Sequence, residues 1–124
     1  MDENKIAVNR FQKLEVWRRA HELVLSVYAF SETLPETERY GLAPDLRRSA
    51  VSVPANIVVG FRRYDLCDRR RCYDRAQSAL EELRYYFMLC RDLGFLTDYG
   101  RIEGQSERLA RLIGGLKLPL SMET

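Results

Sequence analysis

The sequence predicts an all-α protein, an antiparallel up-down bundle of four helices. Three observations carry that expectation. Four segments repeat residues at alternating spacings of three and four, the pattern of a bundle seam. Turn-forming residues fall between the segments, and the connections are short enough to set consecutive helices antiparallel. Only four prolines and seven glycines occur in 124 residues, few punctuators for an all-β chain.

The chain length suits one domain spanning residues 1–124, and a hydrophobic content of 46% is enough for one core. The first helix is expected over residues 12–34, with Trp17, Ala20, Val24, Val27, Ser31 and Leu34 as its seam. Pro35 blocks its continuation. The second is expected over 38–61, with Leu46, Ala50, Val53, Ile57 and Gly60 inward. Pro54 lies inside it and removes one backbone hydrogen bond. One kinked helix is preferred to two shorter ones, because the apolar spacing runs through the proline. Asn56, beside that seam, is expected to bond backbone freed by Pro54, or else to set subunit registry at an interface.

The third helix is expected over 65–93, on Tyr73, Ala76, Leu80, Leu83, Phe87 and Cys90. Asp65 is its expected N-cap and Gly94 its stop. The fourth is expected over 97–117, on Ile102, Gln105, Leu109, Leu112 and Leu116, with Thr97 as N-cap and Pro119 as terminator. Residues 1–10 and 119–124 read as loose tails.

Several helices are apolar on more than one side. Leu23, Val24, Leu25, Val27, Tyr28 and Phe30 share the first helix, and Tyr85 to Leu89 run consecutively on the third. A lone bundle needs one apolar stripe per helix, so the surplus predicts self-association. The alternative is a wide stripe with a few exposed tyrosines.

Other readings are excluded by what the residues supply. No stretch approaches the roughly 20 apolar residues of a membrane span, and residues 1–10 do not read as a signal peptide, so a cytoplasmic protein is expected. Cys67, Cys72 and Cys90 are an odd set with no CxxC, and on a helix Cys67 and Cys72 point about 140° apart. His21 is the single histidine, so neither a zinc site nor imidazole catalysis is expected. Glu81 and Glu82 are adjacent and diverge on a helix, and no Gly-rich phosphate loop occurs. No enzyme, cofactor or metal is expected.

Charge is uneven. Residues 39–75 carry nine arginines against four aspartates, while the flanking segments are slightly acidic. Arg62 and Arg63 fall at the second turn, and Arg69, Arg70 and Arg71 at the start of the third helix. Planar guanidinium groups donate paired hydrogen bonds to phosphate, so these five are the candidate nucleic-acid-binding residues, with Tyr64 and Tyr73 able to stack on bases. The competing reading is a solvated face paired with Asp65, Asp68 and Asp74. Arg47 and Arg48 follow the seam residue Leu46, and one of them is expected to reach a carboxylate such as Glu82.

The run Leu46-Arg47-Arg48-Ser49-Ala50-Val51-Ser52-Val53-Pro54-Ala55-Asn56-Ile57, followed by Gly60, resembles the signature of the four helix bundle protein family. That family includes proteins encoded in intervening sequences of bacterial 23S ribosomal RNA genes. Phe11, Lys13-Leu14, Val16-Trp17 and Ala20 resemble its opening, and Glu38 with Gly41-Leu42 its first turn. Ala76, Leu80 and Glu82-Leu83 resemble its third helix, and Leu93-Gly94-Phe95-Leu96 its next turn. The resemblance covers roughly residues 11–96. It makes Arg47, Arg48, Pro54, Asn56, Gly60 and Glu82 the structural motif. It implies a left-handed bundle and a ring-shaped homopentamer. Related accessory proteins of diversity-generating retroelements partner a reverse transcriptase and bind nucleic acid through basic surface.

The chain departs from the family pattern in places. Val58-Val59 replace the usual Ala-Glu before Gly60, so no role of that glutamate carries over. Asp45 stands for glutamine, Ser78-Ala79 for Gly-Ser, and Arg69-Arg70-Arg71 for a mixed lysine-rich stretch. The expected protein is thus a homo-oligomeric binder of RNA or DNA, with a reverse transcriptase as the partner that the resemblance suggests. The alternative is a protein-interaction ring or adaptor with no nucleic-acid role.

Overall fold

The computed structural model describes residues 14–121, excluding the side chains of 119–121. Four helices follow in order: α1 (Glu15–Ser31), α2 (Leu42–Phe61), α3 (Leu66–Asp92) and α4 (Tyr99–Ser121). A 3-10 turn, Glu36–Glu38, interrupts the first connection, and no strand occurs among the described residues. Each helix packs on its neighbours in sequence, α2 against α3 most extensively, and α1 touches α4 more lightly. The result is an all-α four-helix bundle. Its short connections place the α2–α3 turn at the same end as the start of α1 and the end of α4.

The core is one continuous cluster. Leu46, Val53, Ile57, Leu80, Leu83, Phe87, Leu109 and Ile113 are among its fully buried members. The seams expected on α2 and α3 are buried at every position. Those of α1 and α4 are rotated. Val16 and Leu23 are buried where Trp17 and Val24 were expected, and Ser106 and Ile113 where Gln105 and Leu112 were. Both helices carry two adjacent rows at bundle spacing, and the weak α1–α4 contact leaves their rotation to packing on α2 and α3. Ser31, Ser49 and Ser106 are the buried polar residues among those described, and each hydroxyl donates to a carbonyl one turn earlier on its own helix. Their buried oxygens are thus satisfied locally.

Helix ends explain the differences from the expected bounds. α1 stops at Ser31, not 34: Thr33 N–H bonds the Phe30 carbonyl at 2.9 Å, and the residue before Pro35 is disfavoured in helix. α2 begins at Leu42, not 38. The Glu38 carboxylate accepts the Leu42 N–H at 3.2 Å, and a β-carbon at Gly41 would lie 2.8 Å from that carboxylate. α2 then runs unbroken through Pro54.

Asp65 caps α3 by accepting the Asp68 N–H at 3.0 Å, as its position predicts. Gly94, at φ +83, closes α3 with Phe95 N–H on the Cys90 carbonyl and Gly94 N–H on Arg91. Because α4 starts at Tyr99, Asp98 and not Thr97 holds the capping position. Pro119 does not terminate α4, which continues to Ser121. A proline in a last turn forfeits one bond rather than breaking an interior ladder. Residues 119–121 therefore belong to α4, while 1–10 and 122–124 lie outside the described residues.

The surplus apolar surface expected from two-sided helices is present on this chain. Leu25 and Tyr28 on α1, Val51 and Val59 on α2, and Tyr85 and Met88 on α3 are all exposed.

Candidate nucleic-acid interface

Gly60 brings the ends of α2 and α3 together. A β-carbon there would lie 2.8 Å from the Tyr73 ring and 2.9 Å from Cys72 Cβ. The chain turns at once, with Arg62 N–H on the Val58 and Val59 carbonyls and Arg63 N–H on Gly60. This gathers Arg62, Arg63, Arg69, Arg70 and Arg71 at one end of the bundle.

The five arginines have different surroundings. Arg69 folds back and donates to the Arg63 carbonyl through Nε at 3.2 Å and Nη2 at 2.7 Å, clamping the turn without neutralising its charge. Arg71 pairs with Asp68 at 3.2 Å, and Arg70 approaches Asp74 at 4.0 Å. Arg62 and Arg63 are exposed, and the Arg63 guanidinium makes no ion pair among the described residues. Six arginines face three aspartates between residues 62 and 75, so the surface keeps a basic excess. Tyr64 stands fully out in solvent, free to stack. Tyr73 does not: it is buried against Gly60, and burial raises its phenol pKa.

Arg48 is the arginine that reaches Glu82, with Nη2 2.6 Å from Oε1. Tyr86 donates its hydroxyl to the same oxygen at 2.8 Å, and Asp45 lies 3.7 Å from Arg48. The hydrogen bond from Arg48, then that from Tyr86, holds the Glu82 carboxyl below its usual range. Arg47 turns the other way, donating to Ser31 Oγ at 2.8 Å with its guanidinium 5.2 Å from the Tyr28 ring centre. One arginine ties α2 to α3 and the other ties α2 to α1. Asn56 Nδ2 donates to the Ser52 carbonyl at 2.8 Å and to Ser52 Oγ at 3.0 Å. It therefore bonds backbone one turn before itself, not the Ala50 carbonyl that Pro54 leaves without its usual donor.

Between these two regions lies an open groove along α2 and α3, lined by Ser52, Asn56, Arg71, Asp74, Arg75, Ser78, Ala79 and Glu82. Sequence reasoning missed Arg75, Ser52 and Ser78 as neighbours of the arginine turn. The signal was present in the i, i+4, i+7 and i+11 spacing of Arg71, Arg75, Ser78 and Glu82, one row of a helix.

His21 is exposed and stacks on Trp17 with ring centres 5.0 Å apart. No group of three His, Cys, Asp or Glu residues among those described could hold a metal ion. No described helix is long and apolar enough to cross a membrane. Cys67 is exposed, whereas Cys72 and Cys90 are buried, and burial pushes the Cys90 thiol up to about 11.

The fold and this end of the molecule define a class: a four-helix bundle whose second turn is an arginine cluster, with the α2 signature motif packed beneath it. The family model for the 23S rRNA-intervening sequence protein matches residues 12–115. The chain belongs to that family, and the match extends through most of α4, beyond the stretch on which the resemblance rests. A comparison with curated proteins returns no match.

Proposed function

We propose that this protein is a non-enzymatic, self-assembling nucleic-acid-binding factor acting in a ribonucleoprotein or retroelement setting. The observation that carries the reading is the concentration of Arg62, Arg63, Arg69, Arg70 and Arg71 at one end, short of carboxylates to neutralise them. Arginine forks suit phosphate, and repetition of the patch around a homo-oligomer multiplies its avidity. Membership of a family named for a ribosomal RNA intervening sequence supports an RNA context. Five subunits is the number that the family resemblance implies, and a reverse transcriptase is the protein partner it suggests.

The test is a binding titration against structured RNA and duplex DNA across a salt series. Wild-type protein should bind at low salt with a log–log slope of about −0.7 to −0.9 per phosphate contact. Changing Arg69, Arg70 and Arg71 together to Glu should abolish measurable binding. Absence of wild-type binding at low salt, or full binding by the triple variant, would sink the proposal.

A second reading is an interaction ring without nucleic acid. The exposed Leu25, Tyr28, Tyr85 and Met88 favour it. Recovery of a protein partner after nuclease treatment, with no binding to any nucleic acid, would select it.

A further inference from the structure

We infer that the α2–α3 groove is the track for a single nucleic-acid strand leaving the arginine turn, with Arg75 as a phosphate-contacting residue. This rests on the nucleic-acid reading above and says where and in what form the ligand lies.

Continuity is the first argument. Arg71 belongs both to the basic turn and to the groove wall, and Arg75 follows one turn along α3. The second argument is how the charges are committed. The groove contains two carboxylates, and both are engaged. Asp74 is held by Lys117 at 2.9 Å, from the α4 side, and approached by Arg70. Glu82 is held by Arg48 and Tyr86. Arg75 is exposed and makes no ion pair among the described residues, and Arg71 has only its solvent-exposed contact with Asp68. The unspent charge of the groove is therefore positive.

The third argument is shape. Ser52, Asn56, Ser78 and Ala79 are short, so the groove stays open between two helices whose axes pack at about 8–10 Å. From Arg71 to Glu82 it runs about 16 Å along α3. That length suits a few extended nucleotides of a single strand. The Ser52 and Ser78 hydroxyls and the amide oxygen of Asn56, whose nitrogen is taken by Ser52, are available to sugar and base edges, and exposed Tyr64 offers a stacking face at the basic end. The Arg48–Glu82–Tyr86 network, its charges paired with each other, marks the far end.

Two exposed-site variants test the track by fluorescence anisotropy with a labelled oligouridylate and its duplex with oligoadenylate. Arg75→Ala should weaken single-strand binding about tenfold, the size of one charged hydrogen-bonded contact. It should also flatten the log–log salt slope by about 0.7. Ser78→Trp adds bulk and no charge, and should weaken single-strand binding at least as much with an unchanged melting temperature. The duplex should bind more weakly and ignore Ser78→Trp. Loss with Arg75→Ala but wild-type binding by Ser78→Trp overturns the groove and leaves the basic turn as a binding surface. Duplex binding as tight as the single strand also overturns it. If wild-type protein binds neither probe at low salt, the parent reading falls with it.

Discussion

At position 60 the two central helices come too close for a side chain. The neighbours that an added β-carbon would meet are the Tyr73 ring and Cys72 Cβ, neither of which is the loose end of a flexible chain. Gly60→Ala should therefore lower stability by about 1–2 kcal/mol despite better helix propensity. Chemical denaturation would measure it, and an unchanged midpoint would contradict the close approach. Other residue roles divide by range. Asp65 and Gly94 were legible because caps are local in sequence. The reach of Arg48 to Glu82 was legible because the motif placed a carboxylate on the facing helix. The partner of Asn56 was not: its amide takes the Ser52 carbonyl and hydroxyl one turn back, not the carbonyl freed by Pro54. Tyr73 was read both as core and as a stacking surface, and its burial beside Gly60 decides for core.

Among the elements, every seam position read on α2 and α3 is buried, because each has one continuous seam on the most heavily packed pair, whereas Leu42, Ser49, Cys72 and Ala79, buried beside those seams, were not read. On α1 and α4 two adjacent rows compete, and spacing alone does not choose between them. α4 is tied to α3 by polar contacts at its edges. Arg84 on α3 bonds Glu103 and Glu107, and Gln77 donates to the Ala110 carbonyl at 3.3 Å. α4 also carries glycines that its packing does not require. A β-carbon at Gly104 or Gly115 would meet nothing within 4 Å. Gly104→Ala and Gly115→Ala should each stabilise the protein by about 0.5–1 kcal/mol, by lowering the entropy of the unfolded chain and favouring helix. Thermal melts would check this. A loss of stability would mean that these positions are covered in the assembly.

Across the whole molecule, charge gathers at one end and apolar surface extends along the helices. The basic excess gathers at the α2–α3 turn, while exposed Leu25, Tyr28, Tyr85 and Met88 lie along the helices. Apolar flanks suit copies packed side by side, and the arginine ends of such copies would then form one shared basic surface. The bundle and the family were legible in the sequence because helix spacing and one twelve-residue motif carry them. The groove was not, because it exists only where rows from two helices meet. Sedimentation velocity of the protein with labelled single-stranded RNA, at low and at high salt, tests the central claim most directly. The account predicts a multi-subunit species that carries the RNA at low salt and releases it at high salt without falling apart. A 14.5 kDa monomer, or RNA sedimenting free at low salt, would contradict it.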